Sequence, residues 1–164
     1  QEKYSEITIV SLPPMRTAQY VMVSPYPEND VTAHMQLWAK LNEVPEPYRR
    51  LGWDFPVVSE EQKDHFGLRG YVCAVVLPDC FEPKTPPEAF PAARLDVIPA
   101  DTYAKITVRD PFADPFVSIP EAYERLHEFA GGEYAVSSWE GRICFEEERE
   151  EDGEAVLDIY HPVK

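Results

Sequence analysis

Two adjacent carboxylates, Glu146 and Glu147, follow the apolar run Ile143-Cys144-Phe145, and here the sequence first points to chemistry. In a strand over residues 142–148, Ile143 and Phe145 share one face, and Cys144 and Glu146 share the other. If Ile143 and Phe145 meet the helices, Glu146 stands on the open face. A carboxylate among aromatic rings is costly to desolvate, and a bound organic cation would offset that cost. Glu147 takes this place if the register shifts by one. The competing reading is a solvated acidic hairpin running to Glu151, the usual state of a charge run.

Tyr160 and Tyr103 come next. In the closing strand Leu157 and Ile159 share a face, so Asp158 and Tyr160 share the other. Tyr160 would then stand beside Glu146. In its own strand Tyr103, with Lys105, opposes Ala104 and Ile106. A Tyr ring can hold a cation, and its hydroxyl can orient a polar group. Both also fit as ordinary residues of an amphipathic sheet. Trp38 falls on an apolar helical stripe and reads as core. Trp53 follows Gly52 at a loop or rim position, and Trp139 precedes Glu140-Gly141. Both are ligand candidates, set against the default of core burial for Trp.

Other chemistries lack support. His34, His65, His127 and His161 are scattered, with no HxH or HExxH spacing, so no metal is expected. No GxGxxG, P-loop or GxSxG occurs, so no nucleotide or other cofactor is expected. Cys73, Cys80 and Cys144 are odd in number and make no CxxC, which reads as a reduced, cytoplasmic protein.

Composition narrows the partners. With 15 Lys and Arg against 30 Asp and Glu, the formal charge is −15. Direct binding of nucleic acid or an anionic membrane needs the opposite footprint. Aromatics at 12% exclude a disordered acidic tail. The 164 residues suit a single domain spanning 1–164. No apolar run approaches a membrane span, and the start Gln1-Glu2-Lys3-Tyr4 is no signal peptide. The first residue is not Met, which leaves room for an upstream segment.

The elements that would position these residues are short, because 17 prolines punctuate the chain. Strands are expected at residues 7–10 and 17–23, around Leu12-Pro13-Pro14. A helix is expected over 31–43 with Asp30 as N-cap and Val31, Met35, Trp38 and Leu41 at helical spacing. A loop around Gly52-Trp53-Asp54-Phe55-Pro56 and a charged stretch to Gly67 precede a buried strand at 71–77. A Pro-rich connector spans 83–91. Strands at 97–98 and 103–108 follow. A helix then starts at Pro120, with Tyr123, Leu126, His127 and Ala130 on its stripe, and stops at Gly131-Gly132. Strands at 134–138 and 142–148 and an Asp152-Gly153 turn lead to the final strand at 155–160.

The second half repeats the first. Leu12-Pro13-Pro14-Met15-Arg16-Thr17-Ala18 lies 86 residues before Ile98-Pro99-Ala100-Asp101-Thr102-Tyr103-Ala104, and the same offset lays 71–77 on 157–163. The fold class expected is α+β: two strand-helix-strand-strand units with pseudo-two-fold symmetry and an antiparallel sheet. The half-repeats run over about 1–82 and 92–164. A ligand groove is expected between the halves.

These segments, with Gly70-Tyr71, Asp110-Pro111-Phe112, Cys144-Phe145-Glu146-Glu147 and the ending Leu157-Asp158-Ile159-Tyr160-His161-Pro162-Val163, resemble the GyrI-like small-molecule-binding domain, the effector-binding domain of bacterial transcription activators. Each motif is short; their order along almost the whole chain carries the likeness. The resemblance implies a hydrophobic groove for diverse, often cationic and aromatic, small molecules. It implies that the Glu after a hydrophobic residue on the penultimate strand, here Glu146, points into that groove. It also implies a DNA-binding regulator, fused or separate, as a possible partner; this chain shows no helix-turn-helix, so it looks like a standalone or excised member. One departure stands out: some relatives carry a Glu and an aromatic where this chain has Val72 and Ala74. That gives a roomier groove and weakens any carry-over of a hydrolytic pair.

Three functions are therefore expected in order. The first is binding of lipophilic, cationic aromatic compounds, for drug sensing or sequestration. The second is hydrolysis of strained-ring electrophiles, with Glu146 and Tyr160 as the catalytic pair. The third is an acidic protein-interaction or gyrase-modulating role carried by the run 146–154.

Overall fold

A computed structural model describes residues 2–129 and 142–163. Among these residues eight strands and three helices, an α+β arrangement with antiparallel strand pairing, fall into two compact units. The central unit is Met15–Ile98, and the split unit combines the residues up to Pro14 with those from Pro99 onward.

In the split unit the first strand is β1 (Thr8–Leu12). The central unit holds β2 (Met15–Ser24), α1 (Pro27–Leu41), β3 (Arg50–Phe55), α2 (Glu60–Phe66), β4 (Arg69–Val76) and β5 (Arg94–Ile98). The split unit resumes with β6 (Asp101–Arg109), α3 (Pro115–Phe129), β7 (Phe145–Glu151) and β8 (Glu154–Pro162). The central sheet runs β3-β4-β2-β5 and the split unit's sheet β7-β8-β6-β1.

The repeat holds in the register. Leu12 pairs with Asp101, and Ile98 pairs with Met15. Thr17 pairs with Val76, and Tyr103 with Pro162. Both comparisons carry the same offset of 86 found in the sequence. The first strand β1 nonetheless belongs to β6, and β5 takes the equivalent edge on β2. The two edge strands are exchanged between copies.

α1 starts earlier than its expected Asp30 cap. Pro27 sits in its first turn, where its missing N–H costs nothing, and Glu28 and Asp30 face the positive helix end. Val31, Met35, Trp38 and Ala39 bury one stripe against Ala18, Cys73 and Val75. α3 also starts early, at Pro115, and Pro120 lies inside it. Its stripe, Ser118, Ala122 and Leu126, covers Ala104, Ile106, Leu157 and Ile159. The expected Gly131-Gly132 stop and the strand at 134–138 lie outside the described residues.

The expected loop at 52–56 is strand β3. Gly52 permits this, because a Cβ there would meet the Tyr71 ring at 2.6 Å. The charged stretch before Gly67 is α2. A capping box closes its start, Ser59 with Gln62, and left-handed Gly67 (φ 62°) ends it. Asp152 (φ 53°) and Gly153 (φ 80°) make the expected tight turn between β7 and β8.

Candidate functional site

Among the described residues, each sheet carries a long helix on one face and none on the other. Cross-strand partners share a face, so the register sorts the side chains.

In the central unit, Val21, Val72 and Trp53 form one row on the face away from α1. Gln19, Ala74 and Leu51 form the next. A cavity of about 560 Å3 opens here, lined from the sheet by Gln19, Val21, Trp53, Phe55 and Val72. The connector supplies Pro87 and Glu88 to its lining, and β5 supplies Arg94. Trp53 is half-buried and Glu88 exposed. Ala74 is fully buried beside the cavity rather than lining it.

Polar contacts hold that wall. Arg94 donates to Gln19 Oε1 at 3.1 Å, and Gln19 Nε2 donates to Thr17 Oγ1 at 2.9 Å. The connector is tied down twice. Buried Asn42 accepts the Lys84 and Thr85 backbone N–H groups at 2.7 and 2.9 Å, and donates to Trp38 O and Thr85 Oγ1. His34 Nε2 donates to Ala92 O at 2.7 Å, while its ring stacks on Tyr20 at 3.9 Å.

In the split unit the face away from α3 is aromatic and charged. Phe145 and Tyr160 stack at 4.6 Å, and Tyr103 meets both edge-on at 5.2 and 5.9 Å. All three are buried. Burial, helped by nearby Asp101, pushes the Tyr103 hydroxyl up to about 12, so it stays protonated at neutral pH. Glu147 is buried on this face, across from Asp158.

Asp158 is held by several partners there. Arg149 Nε reaches its Oδ2 at 2.6 Å and Arg149 Nη2 its Oδ1 at 3.2 Å. Thr107 Oγ1 donates to Oδ1 at 2.6 Å, and Lys105 Nζ stands 3.7 Å from Oδ2. Burial alone would raise this carboxyl. The Arg149 and Thr107 hydrogen bonds and the Lys105 charge outweigh it and hold Asp158 below the usual range.

The candidates therefore separate. Glu147, Tyr160 and Tyr103 come together on the helix-free face. Glu146 does not join them. It pairs with Ile159 on the α3 side, and Tyr123 Oη donates to its Oε1 at 2.5 Å. The parity follows from Phe145, which packs into the aromatic stack instead of against α3. Glu146 and Tyr160, the pair on which hydrolysis was expected to rest, point from opposite faces of adjacent strands. Trp53 and Val72 line the cavity of the central unit. Trp139 lies outside the described residues. Contributors not singled out from sequence include Arg149, Thr107 and Phe55. Arg149 was findable, since alternation from Phe145 through Glu147 puts it on the face of Asp158 across the Asp152-Gly153 turn.

No cluster of His, Cys, Asp and Glu among the described residues is arranged to hold a metal. No described helix is long and apolar enough to cross a membrane.

Neither a protein-family model nor a curated protein matches the chain. Solved structures match its fold over nearly its full length. SAV2435 bound to tetraphenylphosphonium is 14% identical, with a TM-score of 0.59, covering 98% of this chain and 94% of that one. The EcmrR C-terminal domain is 16% identical, with a TM-score of 0.64 and 97% coverage of both chains. EcmrR in a DNA complex is 14% identical, with a TM-score of 0.61, covering 99% of this chain and 58% of that one. The fold is that of the GyrI-like effector-binding domains. On that fold this chain has an apolar cavity in one unit and an aromatic-carboxylate face in the other.

Proposed function

We propose that this chain binds lipophilic, cationic aromatic small molecules and serves in sensing or sequestering them. The apolar cavity of the central unit carries the reading. Its volume of about 560 Å3 suits a drug-sized ligand, and Trp53, Phe55, Val21 and Val72 supply apolar contact area. A formal charge of −15 favours cations over anions at long range. The tetraphenylphosphonium found on SAV2435 is a lipophilic aromatic cation on the same fold. The EcmrR–DNA complex supports a setting in which such a domain reports to a DNA-binding regulator. A reducing cytoplasm suits the exposed Cys80 thiol.

The test is a titration with tetraphenylphosphonium and, separately, with neutral triphenylphosphine oxide. Saturable tryptophan quenching and a raised melting temperature are expected with the cation, and a weaker response with the oxide. Trp53→Ala should weaken binding of both by about tenfold, the loss expected for one large aromatic contact. No saturable response to either compound would overturn the proposal.

A further inference from the structure

The helix-free face of the split unit already holds a cation, and it is the protein's own. Lys105 Nζ lies 5.5 Å from the centroid of the Tyr160 ring and 3.7 Å from Asp158 Oδ2. Its side chain is only 27% exposed, and that of Asp158 is 2% exposed. An ammonium between an aromatic face and a buried carboxylate is the arrangement by which proteins bind organic cations. We infer that Lys105 is a tethered occupant of a cation-binding site formed by Tyr160, Asp158 and the flanking Glu147, and that a ligand cation enters by displacing it. This rests on the proposed function for the class of ligand, and it assigns the split unit a cation site within its own sheet.

The repeat gives an independent argument. At the offset of 86, Gln19 stands where Lys105 does, Val72 where Asp158 does, and Ala74 where Tyr160 does. The central unit lacks the ring, the carboxylate and the lysine together. The lysine accompanies the site rather than the sheet position.

The network is built so that Lys105 can leave. Asp158 keeps two hydrogen bonds from Arg149 and one from Thr107 without it. The carboxylate stays ionised and fixed while the ammonium swings out on its flexible stem. Displacement exchanges one cation over Tyr160 for another, so the site selects against neutral compounds. The lysine also sets a threshold that only a cation with substantial apolar area exceeds.

Two measurements test this with the whole chain. Tetraphenylphosphonium is titrated into the parent, Lys105→Met, Lys105→Arg and the surface control Lys63→Met. Lys105→Met should tighten binding roughly five- to tenfold, the range of one cation–ring contact. Lys105→Arg and Lys63→Met should stay within about twofold of the parent, which separates the local contact from net charge. Triphenylphosphine oxide should bind Lys105→Met and the parent alike. In parallel, reductive methylation read by mass spectrometry should label Lys105 several times faster once tetraphenylphosphonium saturates the parent, with Lys63 unchanged. If the cation binds but neither affinity nor labelling responds at Lys105, the inference falls and the proposed function stands. If the oxide gains as much as the cation, Lys105→Met has merely opened apolar space, and the inference also falls. If no variant binds either compound, both fall together.

Discussion

Tyr123 Oη donates a 2.5 Å hydrogen bond to Glu146 Oε1, and this contact holds one of two neighbouring carboxylates on the α3 side, away from the aromatic stack. With Glu146 held toward α3, Glu147 faces the side of Tyr103 and Tyr160. Glu146→Gln should therefore leave tetraphenylphosphonium affinity within about twofold, while Glu147→Gln weakens it about fivefold or more. Tyr123→Phe should lower stability by about 1 kcal/mol, the worth of one hydrogen bond to a partly exposed charge. Fluorescence titration and urea melts read these outcomes. An affinity loss confined to Glu146→Gln would reverse the assignment.

Asn42 holds the connector to the end of α1. Replacing it with Ala leaves the Lys84 and Thr85 N–H groups without their acceptor. The expected loss is about 2–3 kcal/mol, because the unmet groups are part-buried. Since Pro87 and Glu88 rim the cavity, ligand binding should weaken as well. Hydrogen exchange should show faster opening at residues 83–91 and little change in the β6–β8 ladder. Uniform loss of protection would mean that Asn42 supports the whole chain instead of this strap.

Gly70 pairs with Phe55, and a Cβ at 70 would stand 2.8 Å from the Phe55 carbonyl oxygen. That neighbour is backbone and cannot swing aside. Gly70→Ala should force β3 and β4 apart locally, costing about 2 kcal/mol or more and displacing Phe55 from the cavity wall. Gly67→Ala is the useful contrast. It meets nothing within 4 Å, so its cost is the strain of φ 62° alone, about 1 kcal/mol. Equal losses in the two variants would remove the packing argument.

Stability should fall on the acid side in two stages. Burial lowers the pKa of His161, so the folded state keeps it neutral while the unfolded chain takes up a proton below about pH 6.5. Its contribution is complete above that pH and declines as pH falls toward the folded value. Asp158 is held down as described, and Asp101 is held down chiefly by its paired hydrogen bonds from Arg142, at 2.8 and 2.9 Å. Their contribution is complete above about pH 4 and is lost as pH falls through the lowered values. Urea midpoints measured across the acid range should show both steps. His161→Gln should remove only the first. A parent midpoint that stays flat from neutrality to about pH 5 would contradict the His161 account.

The repeat was legible in the sequence because both copies keep the same strand alternation and the same Pro-bearing hairpin at one offset. The exchange of β1 and β5 was not, because edge pairing is non-local and both strands have the same pattern in either arrangement. β3 was hidden by Gly52 and Pro56, which signal a turn; the Tyr71 ring lying over Gly52 supplies the reason for that glycine. α2 has no buried residue, so hydrophobic periodicity is silent there, although Ser59 and Gln62 mark its start. Alternation placed Asp158 with Tyr160 and separated Glu146 from Glu147. It could not say which set met the helix, since Phe145 suits a helical core and an aromatic stack equally well.

The crossed edge strands set an order of assembly. The central unit is one uninterrupted stretch of chain, so every pairing within it can form before the rest has been synthesised. β1 is made before that unit, yet its partners Asp101–Lys105 emerge only after all of it. Until then the nascent chain carries a strand with an open edge, bearing exposed Ile9. A strand that leaves the ribosome ahead of the central unit is thus fastened only after it, and closing it is the long-range step that completes the sheet of the split unit.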